Sequence, residues 1–144
     1  MKNIVNILVL AIICAISGCR STECTPAVVM NETETENVEI GKNILNSIKK
    51  RDFESFRKAV SEQDNVQSNK DFIASCKNIE TEHGAIYDFK FLTFLSTPPV
   101  TNQLWVVDFK ARTADGSTVA RQRLFQVLTG NVDGRPRLLG MRFL

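Results

Sequence analysis

Between Ile40 and Leu144 the spacing of apolar residues changes at Gly84. Before Gly84 they recur every third or fourth residue, which is typical of amphipathic helices. After it they recur every second residue, which is typical of strands with one buried face. Helices followed by strands favour an α+β fold. The sequence therefore predicts N-terminal helices packed on a four-stranded antiparallel sheet.

Three helices are predicted before Gly84. Asp52 is expected to cap the second helix and Asn69 the third, because their short side chains can accept a hydrogen bond from the first helical turn. Apolar side chains on one stripe of each helix are expected to face the core. They are Ile40, Ile44, Leu45, Ile48, Phe53, Phe56, Val60, Phe72, Ile73, Cys76 and Ile79.

Four strands are predicted after Gly84. In the first two, "AIYDFKFLTFL" and "QLWVVDFKAR", apolar residues alternate with charged ones. The turns "TADGST" and "NVDGR" separate the others, and an Asp-Gly pair is a strong hairpin signal. The aromatic residues of the apolar side are either core residues or the floor of a ligand pocket. The candidate pocket residues are Tyr87, Phe89, Trp105 and Phe109.

The order of these elements resembles that of the NTF2-like (cystatin-like) superfamily. The resemblance rests on the helix break "KRDFESF" and on the ending "VDGRPRLLGMRF", and it covers Ile40 to Leu144. It implies a curved sheet that wraps the helices into a cone, often with a pocket. It implies no reaction, because one fold serves many functions.

The N-terminal segment is typical of a targeting signal. Lys2 gives a positive start, and the apolar stretch from Ile4 to Ile16 is shorter than the roughly 20 residues that span a membrane. The sequence "ISGC" at Ile16 to Cys19 then resembles the lipobox of bacterial lipoproteins. In that family the chain is cut before the cysteine, and the cysteine thiol is acylated. Ordinary secretion and an uncleaved anchor remain as alternatives.

The lipobox resemblance implies a lipid anchor at Cys19. It places the protein on the extracytoplasmic side of a bacterial envelope, at the outer membrane if the host is Gram-negative. Residues 1–18 are then the signal peptide, and residues 19–38 are a lipidated cysteine followed by a flexible acidic tether. Residues 39–144 are long enough for one folded domain.

Cys24 and Cys76 remain for other roles. Outside the cytoplasm they can form a disulfide. Alternatively, Cys76 is a small buried residue of the third helix and Cys24 stays unpaired in the tether. No cysteines and histidines are clustered as zinc ligands are, so neither a metal nor a cofactor is expected.

Every basic residue from position 112 onward is an arginine, opposed only by Asp115 and Asp133. Such a basic patch attracts anionic headgroups, an acidic ligand or an acidic partner. The alternative is a solvated face of the sheet. Nucleic acid is disfavoured as a partner by the predicted compartment rather than by the charge. The six arginines are Arg112, Arg121, Arg123, Arg135, Arg137 and Arg142.

One pair of residues suits acid–base chemistry, Asp108 with Tyr87, because a carboxylate in an apolar cavity can act as a base. The alternation argues against this role. Asp108 shares a face with Lys110 and is expected opposite Arg121 or Arg123, as part of an exposed ionic face. Tyr87 falls on the core side.

The sequence favours a non-catalytic module over an enzyme. The one histidine, His83, has no clustered acid or cysteine and is predicted to be a turn residue. A protein-interaction or assembly module predicts a filled interior and an exposed apolar or arginine-rich surface, with a homodimer through the sheet as one arrangement. A small-ligand-binding module predicts an open pocket. An isomerase-like or hydrolase-like enzyme using Asp108 and Tyr87 is the third hypothesis.

Overall fold

The computed structural model describes residues 32–60, 67–97 and 99–144. Three helices precede four strands: α1 (Glu32–Lys50), α2 (Phe53–Ala59), α3 (Asn69–His83), β1 (Ala85–Thr97), β2 (Val100–Arg112), β3 (Thr118–Val132) and β4 (Arg135–Phe143). The strands form one sheet in the order β1-β2-β3-β4, and each neighbouring pair is antiparallel. The predicted α+β architecture is confirmed. Below, the inner face of the sheet is the one that packs on the helices, and the outer face is the opposite one.

Helix α1 begins at Glu32, inside the segment predicted as an acidic tether. Glu32 and Glu34 lie in its first turn, where carboxylates interact favourably with the positive end of the helix dipole. The buried side-chain amide of Gln103 donates to the carbonyl oxygen of Asn37 at 2.7 Å, which holds the second turn of α1 on β2. Residues 32–38, predicted as part of a flexible tether, are therefore helical.

The caps of the other two helices follow from local hydrogen bonds. Asp52 caps α2, as predicted, because its carboxylate accepts from the backbone N–H of Ser55 at 3.0 Å. Donation by the hydroxyl and backbone of Ser55 also lowers the pKa of Asp52. The prediction for α3 was one residue off. Ser68 is the cap, accepting from Asp71 N–H, and Asn69 is the first helical residue.

The core lies between the inner face and the apolar stripes of the helices. Helix α1 comes closest to the sheet at Gly41, where an added Cβ would lie 2.6 Å from Oε1 of Gln103 and 2.8 Å from Nε1 of Trp105. The buried apolar residues are Ile44, Leu45, Ile48, Phe56, Val60, Phe72, Cys76, Trp105, Val107, Phe109, Phe125 and Val127.

Two irregularities in β1 shift its pairing with β2, between Ile86 and Asp88 and between Phe91 and Thr93. Each inserts one residue, and an inserted residue changes which later side chains face the core. Ile86 pairs with Phe109, and Phe89 with Val107, so both stay on the inner face. The inserted residues Tyr87 and Leu92 are exposed.

Strand β3 has two unlike halves. From Phe125 to Gly130 it lies between β2 and β4, whereas among the described residues Thr118 to Arg123 pair with β2 alone. One bond from Leu144 N–H to the carbonyl oxygen of Leu124, at 2.9 Å, marks the end of the pairing with the C-terminal segment. We call Thr118–Arg123 the free edge of β3.

Candidate functional site

Three of the four candidate pocket residues lie together on the inner face. Trp105 and Phe109 are buried and Phe89 is partly buried. The prediction for Tyr87 is wrong. Its side chain is 58% exposed, because the irregularity after Ile86 turns it to the outer face. There the Lys110 ammonium lies 3.5 Å from the centre of the Tyr87 ring, which is a cation–π contact.

Aromatic contacts fill the inner face at these positions. Trp105 packs edge-on against Phe89 and Phe91, with ring centres 6.0 and 5.4 Å apart. Phe109 packs against Phe143 at 5.6 Å. The larger depressions on residues 32–60, 67–97 and 99–144 are lined by other residues. These rings act as core rather than as a pocket floor.

Asp108 lies on the outer face, as the alternation predicted, but its neighbours differ from those expected. Its Oδ1 accepts from the side-chain amide of Gln122 at 2.7 Å, and Asp88 lies directly opposite on β1. The predicted pairing with Arg121 or Arg123 is wrong. The register of β2 with β3 places these arginines opposite the inner-face residues Phe109 and Val107. Asp108 is thus partly exposed and lies beside an amide rather than in an apolar cavity.

His83 is the last residue of α3 and is buried, with 8% of its surface exposed, rather than standing in a surface turn. Its ring packs 5.4 Å from Phe109 and 5.5 Å from Phe143. The Nε2 atom lies 3.7 Å from a carboxylate oxygen of Glu82, and Nδ1 has no hydrogen-bond partner among the described residues. In the described part of the chain, no three His, Cys, Asp or Glu side chains are grouped as metal ligands.

The six arginines do not form one patch. Arg112 and Arg142 share the outer face, and the Nε of Arg142 donates to Gln126 at 2.7 Å. Arg121 and Arg123 are on the inner side of the free edge of β3. Arg137 pairs with Gly130 of β3, and Arg135 is its neighbour in β4. Gly130 is nine residues from Arg121 along β3, which is about 30 Å in an extended strand.

Cys76 is buried and its thiol is free. Burial raises the pKa of this thiol, because a thiolate loses its hydration there. Cys24, its predicted disulfide partner, lies outside the described residues, and so does the lipidation site Cys19. Among the residues that the structure describes, no helix is long and apolar enough to cross a membrane.

The outer face carries a group of apolar side chains that the sequence analysis did not single out. We call this group the outer apolar face. Beside it lies a depression of about 360 Å³ between Leu128 and Arg142, at the position of Gly140. The members of the outer apolar face, all exposed or partly exposed, are Tyr87, Leu92, Leu95, Leu104, Val106, Leu124 and Leu128.

Among solved structures, several chains have a similar shape. One of them is an NTF2-like protein of unknown function from Shewanella oneidensis MR-1, with 14% identity and a TM-score of 0.45. The similarity covers 76% of this chain and 96% of that one. A likeness at this level decides neither fold nor activity. No protein-family model and no curated protein matches the sequence.

Proposed function

We propose that this protein is a membrane-tethered lipoprotein of the bacterial envelope whose NTF2-like domain is a non-catalytic interaction module. The observation that supports this is the contrast between the two faces of the sheet. The inner face is filled by aromatic side chains, whereas the outer apolar face is open to water. A group of exposed apolar side chains on one face is typical of a protein-binding site. A small-ligand module requires a cavity at Phe89, Trp105 and Phe109 instead.

The occupant that we propose for the outer apolar face is a second copy of this chain. Asp88 and Asp108 lie near Lys90 and Lys110 on the same face, so both signs of charge border the apolar residues. Two copies related by a two-fold axis bring each surface against itself. Under that symmetry the acidic and basic residues that lie among the apolar ones can meet in pairs in the dimer, an effect absent from the monomer.

The depression at Gly140 could receive a side chain of the second copy. An exposed leucine from the second copy is the kind of side chain that fills such a dip, since buried apolar surface stabilises by about 25 cal/mol per Å². The membrane attachment rests on the lipobox-like sequence at Cys19. Lipidation would hold the copies in one plane and raise their effective concentration, which favours weak self-association.

Two variants of matched exposure test the surface. Leu124 is 39% exposed on the outer face, and Val119 is 40% exposed on the inner side of β3. We expect light scattering of the detergent-solubilised full chain to give a dimer. Leu124→Glu should give a monomer, and Val119→Glu should leave the dimer intact. A monomeric parent protein, or equal behaviour of the two variants, would contradict the proposed surface.

The tether has its own test. Intact-mass analysis of protein from a bacterial membrane fraction should give a chain that starts at Cys19 and carries acyl groups. An unmodified chain that starts at Gly18, recovered from the soluble fraction, would rule out the lipoprotein assignment. It would leave the dimer to be judged by light scattering alone. Comparison of the mass with and without reduction would also show whether Cys24 and Cys76 are bridged.

A further inference from the structure

We propose that the free edge of β3 is a strand-addition site for an extended acidic segment of a partner protein. Thr118–Arg123 pair with β2 on one side, and on the other side no described strand covers them. All of these residues are exposed. The surface is separate from the outer apolar face, so this proposal does not depend on the dimer.

The direction of the backbone groups follows from the end of β4. In a strand, the N–H and C=O of one residue point to the same side, and consecutive residues point to opposite sides. The carbonyl oxygen of Leu124 points toward the C-terminal segment, because it accepts from Leu144 N–H. Gln122, Ala120 and Thr118 therefore direct their backbone groups to the free edge. A partner strand in line with β4 would continue its hydrogen-bond ladder.

One side chain already occupies this edge. Nη1 of Arg123 donates to the carbonyl oxygen of Gln122 at 3.1 Å. That carbonyl has no strand partner among the described residues, and the guanidinium takes the place that a backbone N–H would fill. An arriving strand replaces this contact with a backbone hydrogen bond and releases the Arg123 guanidinium for another acceptor.

The positive charge of the free edge favours an acidic partner strand. Arg121 and Arg123 lie two residues apart on one face, about 7 Å at ~3.4 Å per residue. In the described part of the chain, neither has an ion pair with a carboxylate. A strand with glutamate or aspartate at alternate positions would place one carboxylate near each guanidinium. A second copy of this edge would bring arginines to arginines, so the charge opposes self-pairing here.

The test measures binding of a labelled peptide to the full chain in detergent. The probe is a seven-residue peptide in which valine and glutamate alternate, and the control peptide has lysine in place of glutamate. We expect fluorescence anisotropy to show binding of the glutamate peptide, weakened by salt, and no binding of the lysine peptide. Hydrogen exchange should show slower exchange of the Ala120 and Gln122 amides in the complex.

Two pairs of variants separate the hydrogen-bond ladder from the charge. Ala120→Pro removes a free-edge N–H, whereas Ala114→Pro lies at the second position of the turn closed by Gly116 N–H to Thr113, where proline is favoured. The double variant Arg121→Glu/Arg123→Glu is matched by Arg112→Glu/Arg142→Glu, which makes the same charge change on the outer face. The first member of each pair should weaken binding about tenfold or more.

Several outcomes would overturn the proposal. Failure of the glutamate peptide to bind, or equal binding of the lysine peptide, would mean that Arg123 only protects the edge. Equal loss of affinity in both arginine doubles would indicate attraction by net charge without strand addition. Binding without slower hydrogen exchange at the Ala120 and Gln122 amides would also indicate that no strand is added. If Ala120→Pro does not fold, the two arginine double variants and the hydrogen exchange still test strand addition at the free edge.

Discussion

Phe125 and Leu124 are neighbours in β3 and both are large and apolar, but their side chains point to opposite faces of the sheet. Phe125 faces the helices and is 2% exposed, whereas Leu124 faces outward and is 39% exposed. The same contrast extends over the whole sheet. On the inner face, aromatic rings pack against the apolar stripes of the helices. On the outer face, leucines and a valine lie exposed or partly exposed among charged residues.

The two faces differ because only one has helices against it. An alternating strand with both faces partly apolar needs two layers to cover it, and the described chain supplies one. The inner face therefore carries the stability of the domain, and the outer face is available for association. Substitutions at paired positions on the two faces measure this difference directly.

The largest expected difference is between Phe125→Ala and Leu124→Ala. The Phe125 ring packs 4.7 Å from the Phe143 ring and has almost no contact with water. Its removal leaves a cavity and should lower the free energy of unfolding by about 3–5 kcal/mol. Leu124→Ala should cost under about 1 kcal/mol in the monomer. Urea unfolding of both variants in dilute detergent measures this, and equal losses would show that the outer face is covered within one chain.

A second expected difference concerns Gly41 on the inner side. The Cβ of Gly41→Ala would overlap the buried side chains of Gln103 and Trp105, and Gln103 is held by its bond to Asn37. Overpacking of this kind costs about 1–3 kcal/mol. The better helix propensity of alanine returns about 1 kcal/mol of it. We expect a net loss of stability in thermal unfolding, with exposed Lys42→Ala as the neutral neighbour. A stabilised Gly41→Ala would mean that α1 lies further from the sheet.

Gly140 provides the opposite case on the outer face. An added Cβ there would meet Cδ1 of Leu128 at 3.8 Å, an ordinary contact. Gly140→Ala restricts the unfolded chain without a clash, so it should raise the free energy of unfolding by about 0.4–1 kcal/mol. Thermal unfolding at several protein concentrations would separate this gain from any change in self-association. A clear loss of stability would show that the depression is tighter than described.

Much of the inner face could be predicted from the sequence. The apolar stripes of the helices, the Asp52 cap and the alternation around Trp105 are each local patterns in the sequence. The stripes and the alternation also show which side of each element faces the core. The position of Tyr87 could not be predicted, because an inserted residue in β1 changes the phase of the alternation. The neighbouring short polar residues Ser68 and Asn69 are both acceptable caps, and the sequence alone does not choose between them.

The arginines were misplaced for a related reason. Whether Arg121 faces Asp108 or Phe109 depends on the register of β3 against β2, and a slip of one residue turns every side chain to the other face. That register follows from how many residues the turn after Arg112 takes up. His83 was missed because its burial depends on Phe109 and Phe143, which are distant in sequence.

The smallest expected effect comes from two like charges on the outer face. Asp88 and Asp108 lie directly opposite across β1 and β2, and Gln122 supplies the one polar contact that Asp108 makes within the described residues. Like charges in this position destabilise a sheet by roughly a few tenths of a kcal/mol. In a protein dilute enough to be monomeric, Asp88→Asn should therefore raise the melting temperature slightly at low ionic strength, and added salt should remove the gain. Glu36→Gln, an exposed change of the same charge beyond the first turn of α1, is the control. An equal gain from it would show that net charge, rather than the opposed pair, is responsible.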